Sequence, residues 1–486
     1  MLDKWKRCRD AASGQDAIHD GTTIYLPRLS DQTDGEYAAY IKRTPFYNAT
    51  WRTVSGLQGM IFRKPAVTSF PPVMKAMADD ISLSGEPLQL FTLEVVEELL
   101  IVGRIGVFVD YPIVNTAAVT AADAAALQLR PSLKRYIAES IINWRTSIVQ
   151  NAKVLSRVVL CETMEIVKSE FESDLKTVYR VLDLVTMPQE SIWPGKLVYR
   201  VRVFEIVENE DVQIGQDVFP ILKGQPLNYI PFYFVGVDGC SEEIDNPPMI
   251  DLVNINISHY KTNADYEHGC HFTGLPTPVV SGYIADTAKD EKFCIGSTTA
   301  WVFPRPDAKA FFLEFTGTGL KSLENNLARK EAQMAVLGAR MLENNMNTGK
   351  SGNSTAINLG GEQSTLSSIS QSVSLGMERA LTTFAQFAGS TEPVAYQLNK
   401  EFLPEPMDPL RLTALVASWQ NGAISYETLY KNLQKGEVED VDQTVEQEIA
   451  KMPLHKPEIP GGTKVNQSAN PVHEVTAPTQ RQLQTP

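Results

Sequence analysis

Cysteine is scarce and scattered in this chain of 486 residues. The five cysteines are odd in number and nowhere form a C-x-x-C pair: Cys8, Cys161, Cys240, Cys270 and Cys294. A disulfide framework or a zinc ribbon needs paired, regularly spaced cysteines. We therefore expect a protein of a reducing compartment, with neither structural disulfides nor a cysteine-based zinc site.

Long apolar runs are missing as well. The longest, at 99–109, is interrupted by Arg104 and is much shorter than the roughly 20 residues that span a bilayer. The first fifteen residues, MLDKWKRCRDAASGQ, carry charges where a signal peptide has its apolar core. We expect a soluble protein that is made in the cytosol and does not contact a membrane.

Positive charge is under-represented. The chain has 44 lysines and arginines against 58 aspartates and glutamates, a formal net charge of −14. A protein that grips DNA along a basic stripe has the opposite balance. The acidic balance argues against a DNA clamp but suits a surface past which DNA must slide. The length predicts two to four domains, and a hydrophobic fraction of 43% is typical of globular proteins.

A complete nucleotide-binding loop is also lacking. The segment NNMNTGKSGNST (344–355) contains Gly349-Lys350-Ser351, which matches the end of the motif G-x-x-x-x-G-K-[ST]. The motif requires glycine five residues before Gly349, where Asn344 stands, and a helical pattern precedes it instead of a buried strand. Two interpretations of Lys350 stay open: a loop lysine that touches a nucleic-acid backbone, or a solvated lysine without a role.

Residues for catalysis or metal binding are few. The chain has six histidines and no G-x-S-x-G segment. Asp265, His268 and His271 lie three residues apart on a predicted helix, with His259 earlier, which resembles a two-histidine, one-carboxylate iron site. At this spacing each step falls about 60° short of a full turn, so the ligands converge poorly. We expect no catalytic residue, no metal and no cofactor, and hence no enzyme.

The hydrophobic pattern predicts an α+β fold. In the first half, residues 88–102 have helical spacing, a strand follows at 105–112, and three β-rich segments come next: VLSRVVLCETMEIV, TVYRVLDLV and KLVYRVRVFEIV. In the last of these, alternation of Val201, Val203 and Ile206 with charged neighbours indicates a half-buried strand. The second half predicts a long helix (249–272), short strands and turns (275–317), and then three helical segments (319–344, 363–389 and 408–433).

The helix predicted at 319–344 has apolar residues at heptad spacing, with Lys330 in one of these positions. Two long helices whose apolar faces exceed what one partner covers favour packing between subunits. The Gly-, Asn- and Ser-rich stretch that follows is typical of a mobile polar loop. The last residues, 453–486, have six prolines and almost no large apolar side chains, which predicts a disordered tail.

Several segments resemble, in order along the chain, those of a portal-like family of tailed double-stranded-DNA phages and prophages. They lie between residue 37 and about residue 390: FRKP (62–65), GRIGVFVDYP (103–112), AESIINWR (138–145), HYKTNADYEHGCH (259–271), LPTP (275–278), QMAVLGARML (333–342) and the run from Ser354 to Leu366. None is a chemical signature, so the resemblance depends on their joint occurrence and order.

The resemblance implies a portal-like α+β fold, with a mixed α/β wing, long stem helices flanking a small β-rich clip, a tunnel loop and helix, and a C-terminal helical crown. The implied domains are the wing (1–248), stem helices (249–272 and 319–344), clip (273–318), tunnel loop (345–362), tunnel helix and wing return (363–404), crown (405–452) and tail (453–486). The residues expected to face DNA are Met346, Asn347, Thr348, Gly349, Lys350, Ser351, Gly352, Asn353 and Ser354.

The resemblance also implies a function. Portal proteins form homo-oligomeric rings, commonly of twelve subunits, at one vertex of the capsid, and DNA enters and leaves through the channel. The implied partners are further copies of the chain, capsid proteins, the packaging terminase, neck and tail adaptor proteins, and transiently the backbone of double-stranded DNA. The implied location is the portal vertex of the virion, after synthesis in the cytoplasm of a bacterial host.

Two alternatives remain open. One is another viral structural protein, such as an adaptor or a scaffold, which the symmetry of the oligomer would distinguish from a portal. The other is a nucleotide-dependent packaging ATPase, which requires a complete phosphate-binding loop after a strand.

Overall fold

A computed structural model describes residues 1–112, 129–274, 277–281, 306–313, 317–340, 364–402 and 409–435. The chain forms two compact units, Met1–Phe402 and Leu403–Pro486. The first unit combines helices with antiparallel sheets, and the expected α+β class is confirmed. The predicted tail at 453–486 lies outside the described residues.

Nine helices of the first unit are described, three of them long and in the second half of the chain. Their bounds are α1 Leu2–Ser13, α2 Gln15–Asp20, α3 Asp34–Arg43, α4 Ala49–Ile61, α5 Pro72–Lys75, α6 Leu88–Ile101, α7 Ile250–Gly274, α8 Leu320–Arg340 and α9 Thr365–Phe387. Local side chains fix several starts. Thr33 and Glu36 form a reciprocal capping box before α3, and the Asn48 side chain accepts a hydrogen bond from the Trp51 N–H at the start of α4, which satisfies amides that the helix leaves free.

The strands form two larger sheets and three two-stranded ribbons. The five-stranded sheet is an antiparallel meander of β4 Ile141–Val149, β5 Ala152–Val167, β6 Ser173–Thr186, β7 Leu197–Val207 and β8 Glu210–Val218. The three-stranded sheet has the order β11 (Phe232–Gly236), β2 (Arg104–Asp110), β3 (Ser132–Ile137). The ribbons pair β1 Val67–Ser69 with β14 Ala395–Gln397, β9 Ile221–Leu222 with β10 Gln225–Pro226, and β12 Thr277–Ser281 with β13 Lys309–Leu313.

Strand β2 separates two cores. Its residues Ile105, Val107 and Val109 pack into a core with the helices, whereas Phe108 packs into a second core between the two larger sheets. Gly106 faces this second core, where a Cβ would lie 2.2 Å from the Phe232 ring, so no other residue fits. The fold therefore has three layers: helices, the three-stranded sheet, and the five-stranded sheet.

Helix α9 is the centre of the helical core. Along one apolar face of this helix Phe387 is partly buried and six residues are fully buried: Leu366, Ile369, Val373, Met377, Ala380 and Phe384. The Ser364 hydroxyl accepts a hydrogen bond from the Ser367 N–H and caps the helix. The chain then returns as β14, whose Tyr396 pairs with Thr68 of β1. Residues far beyond 248 thus complete the core of the N-terminal part.

The three β-rich segments are β5, β6 and β7, as predicted. The half-buried pattern holds for only part of β7, since Val201 is buried but Ile206 is 51% exposed. The reason is geometric: β7 extends beyond the core that covers its first residues.

The second unit contributes two described helices, α10 Pro409–Gln420 and α11 Tyr426–Lys435. The single helical segment predicted at 408–433 is therefore divided. The division falls at Gly422, whose φ of 73° a side chain rarely adopts. The Trp419 and Tyr426 rings pack across the turn at 5.9 Å.

Candidate functional site

The candidate site centres on the antiparallel helices α7 and α8. Leu327 and Met334 of α8 are buried, in agreement with their predicted heptad positions. At the far end of the pair, a Cβ on Gly269 of α7 would lie 2.6 Å from the Leu320 side chain of α8. Glycine at this position therefore allows the two backbones to approach closely. The ribbon β12–β13 belongs to the segment that connects the two helices.

Two polar contacts cross the seam between these helices. The Lys330 ammonium donates hydrogen bonds to the Ser258 carbonyl (2.8 Å) and to the Thr262 hydroxyl (2.6 Å). The His259 Nε2 lies 3.3 Å from a Glu331 carboxylate oxygen. Burial lowers the pKa of His259, and its contact with Glu331 offsets this only in part. The lysine at a seam position is thus satisfied by the facing helix, and it fixes the register of the pair.

We expect Lys330→Glu to lower the free energy of unfolding by about 2 kcal/mol. The new carboxylate would face the Ser258 carbonyl and leave the Thr262 hydroxyl without its donor. Urea denaturation gives the value. The matched control is Lys321→Glu on the same helix, where the lysine is exposed beside Glu324 and the expected change is below about 0.5 kcal/mol. Equal losses in the two variants would show that the seam contact does not stabilise the pair.

The first half of α7 is held by the N-terminal helices. The Asn256 side chain accepts from the Thr50 N–H and hydroxyl and donates to the Tyr47 carbonyl. The Tyr40 hydroxyl donates to Asp265 at 2.8 Å. Helices α1, α3 and α4 thus cover part of α7 within the same chain, in addition to α8.

The histidines and the aspartate weighed as metal ligands have other neighbours. Asp265 accepts the Tyr40 hydroxyl, and the His268 ring packs edge-on against Tyr40 and Phe272. His259 instead contacts Glu331 across the seam. Within the described ranges, no group of three or more His, Cys, Asp or Glu side chains could hold a metal ion.

The residues predicted to face DNA, 346–354, lie outside the described residues, and so does Gly349-Lys350-Ser351. The elements on either side are described. Helix α8 is fixed on α7 and also approaches α4, where a Cβ on Gly338 would lie 3.1 Å from the Thr53 side chain. Helix α9 is fixed in the core. The predicted tunnel loop thus joins two helices whose positions are set by packing elsewhere.

Sequence reasoning missed Arg104, which it treated only as an interruption of an apolar run. The side chain is 2% exposed, and its guanidinium lies between the Trp144 and Phe234 rings at 4.1 and 4.4 Å. None of its three nitrogens hydrogen-bonds to another described residue. Burial lowers the pKa of Arg104 to about 10. The two rings stabilise a buried cation by cation–π attraction, and no pattern of β2 alone reveals them.

A family model described as "Domain of unknown function (DUF4055)" matches residues 248–388, a range that includes α7, α8 and α9. Among curated proteins, none matches the chain in sequence. Within the described residues, no helix is both long enough and apolar enough to cross a membrane.

Three solved structures are similar to the chain over most of its length. The first, a virion of the native gene transfer agent (GTA) particle, has a TM-score of 0.36 at 10% identity and covers 86% of this chain and 98% of that chain. The second, the neck of the empty GTA particle computed with C6 symmetry, has a TM-score of 0.36 at 10% identity and covers 85% of this chain and 96% of that chain. The third, the neck of the native GTA particle computed with C12 symmetry, has a TM-score of 0.35 at 8% identity and covers 79% of this chain and 89% of that chain.

Proposed function

We propose that the chain is a phage portal protein. The observation that carries the proposal is the course of the chain from α7 to α9: a long helix leaves the core, a β ribbon follows, an antiparallel helix returns along the first, and α9 enters the core. This is the order of stem, clip, stem and tunnel helix that the sequence resemblance implies. In this proposal, residues 249–272 and 319–344 are the stem, 273–318 the clip and 345–362 the tunnel loop.

The protein would act as a ring at one vertex of the capsid, with a central channel for packaging and ejection of double-stranded DNA. The nine residues at 346–354 would face the duplex, and Lys350 would make weak, exchangeable contacts with phosphates. The net charge of −14 prevents the duplex from adhering to the rest of the channel. No step of this function requires the chain itself to catalyse a reaction.

The proposed partners are further copies of the chain, capsid proteins, the packaging terminase, and neck and tail adaptors.

A second candidate is another structural component of a viral particle, an adaptor or a scaffold, which shares these partners but needs no channel. A packaging ATPase is the third candidate. It would bind ATP stoichiometrically through Lys350, whereas we expect no binding because Asn344 replaces the glycine that the loop requires.

Electron microscopy of the purified protein tests the proposal. We expect closed rings with a central hole wide enough for duplex DNA, because heterologous contacts that close produce rings. Light scattering should give one mass that corresponds to about a dozen subunits. A monomer, or a twofold dimer, at every protein and salt concentration would contradict the proposal.

A further inference from the structure

One face of the five-stranded sheet covers a core and then continues past it. Cross-strand pairing places Val158, Leu182 and Val201 side by side on this inner face, and all three belong to the core between the sheets. The same face continues outward through Leu160 and Val203, since paired residues of an antiparallel sheet point to the same side. The inner face of β5–β8 is therefore one surface, of which only the first part is covered.

A polar cluster marks the end of the covered part. Glu162 of β5 accepts hydrogen bonds from Arg180 of β6 and from Tyr136 of the three-stranded sheet. Burial alone would raise the pKa of Glu162, but the bonds from Arg180 and Tyr136 outweigh it and lower the pKa. Tyr136 thus lies at the margin of the smaller sheet. Beyond it no described element covers the strands, and we call this extension, residues 162–176 and 203–214, the arm.

The inner face of the arm combines apolar and charged side chains, since the strand register places Asp174, Lys176, Glu205 and Glu210 beside its apolar residues. Five of its side chains are large, hydrophobic and exposed: Met164, Ile166, Val207, Val212 and Ile214. At the tip, Phe171 is 97% exposed. The opposite face also carries apolar residues, but they alternate with threonine, serine and aspartate and lead back to Asp183 and its arginines. Because a group of exposed apolar side chains that continues a buried core face is typical of an interaction surface, we infer that the inner face of the arm contacts another protein surface.

The charge of the arm limits which protein surface could pack on its inner face. The arm contains nine acidic residues and two lysines. Lys176 pairs with Glu205 across the strands, and Lys168 pairs with Asp174, so the remaining carboxylates are in excess. Two arms pressed face to face would bring like charges together, which is unfavourable. The cover must instead be a surface that combines apolar side chains with cations.

The chain presents such a surface around the start of α4. Tyr47 and Trp51 are exposed aromatic residues, and Arg52 beside them is exposed. Lys42 and Arg43 end the neighbouring helix α3. The first 64 residues contain ten lysines and arginines against seven acidic residues, the reverse of the balance in the whole chain. Aromatic residues and arginine are the types enriched in protein interfaces.

We propose that the inner face of the arm docks on the α4 surface of a second copy of this chain. The contact is heterologous, since the arm of each subunit meets a different surface of the next, and such contacts close into rings. The proposal rests on the ring of the proposed function and names the surfaces that join its subunits. Because the arm is acidic and the α4 surface is basic, their contact fixes the order of the subunits around the ring.

Two neighbouring residues of β7 provide a matched test. Val207, on the inner face, is 42% exposed, and Ile206, on the opposite face, is 51% exposed. We expect Val207→Lys to lower the yield of rings at least tenfold, and Ile206→Lys to leave the yield within twofold of the unaltered protein. Circular dichroism and the melting temperature of the dissociated subunit should be the same for both variants. Equal ring yields in both would contradict the docking proposal while leaving the ring itself intact.

Photo-crosslinking identifies the surface that is covered. A benzoylphenylalanine at Val212, on the inner face, should crosslink to residues 40–64, and the same group at Gln213, on the opposite face, should not. A mixture of ¹⁴N- and ¹⁵N-labelled protein shows by mass spectrometry whether each product joins two copies. Rings whose crosslinks map to another arm or to another region would overturn the docking proposal alone. Absence of any oligomer would contradict both this proposal and the portal function.

Discussion

Replacement of residues 346–354 by three glycines should leave the ring and its melting temperature nearly unchanged and should abolish the filling of capsids with DNA. The structure explains the first half of this expectation. Helix α8 packs along α7 and places Met334 in the helical core, and α9 is held in the same core, so neither depends on the segment between them. A change of this size in a loop alters stability by less than about 1 kcal/mol.

The second half follows from the proposed position of the loop at the duplex. Packaged DNA per capsid, divided by ring yield for the same variant, measures the effect. Lys350→Glu should reduce filling in the same direction by repelling phosphate, and less so at high salt, which screens the charge. Normal filling without the loop would refute the tunnel role. Loss of the ring would show that the segment is structural.

Asp183→Asn should lower the free energy of unfolding of the first unit by about 3 kcal/mol. The Asp183 side chain is 3% exposed and lies among three arginines. Arg200 binds both carboxylate oxygens at 3.0 and 2.9 Å, and Arg202 donates to one of them at 2.8 Å. Removing the negative charge leaves two partly buried guanidinium groups, Arg200 and Arg202 on the same face of β7, without the carboxylate that they share.

Urea denaturation followed by tryptophan fluorescence measures this loss. Glu172→Gln is the matched control, because Glu172 forms an exposed ion pair with Lys168 that stabilises by less than about 1 kcal/mol. If Asp183→Asn were as mild as the control, the arginines would be held by the strands and not by the carboxylate. Ring formation should survive in the control.

Periodic patterns revealed the long elements of this chain, and local chemistry explains what they missed. All three long helices were predicted, and in α8 and α9 the apolar positions repeat over many turns. Strand β8 was not, since it is a mostly exposed edge strand whose sequence, EDVQIGQDV, is rich in acidic and polar residues. The N-terminal helices were also missed, although Thr33 and Glu36 form a recognisable capping box.

The contacts that shape the candidate site depend on residues distant in sequence. Lys330 was recognised in the seam, but its acceptors on α7 lie 68 and 72 positions earlier. Arg104 is surrounded by Trp144 and Phe234, which no window around β2 contains. Heptad spacing indicated the apolar face of α8, and it could not predict that α1, α3 and α4 would cover part of α7.

The place of α9 in the core has a consequence for biosynthesis. Helix α6 and strand β2 are synthesised before the ribosome reaches residue 112, but the helix that covers them ends at Phe387. At about 5–20 residues per second, the ribosome needs roughly 14–55 seconds to supply it. During this interval the nascent chain exposes the apolar side of β2 and α6, a surface that chaperones bind. The N-terminal half therefore reaches its final packing only late in translation, and a truncated chain that stops before α9 should aggregate instead of folding.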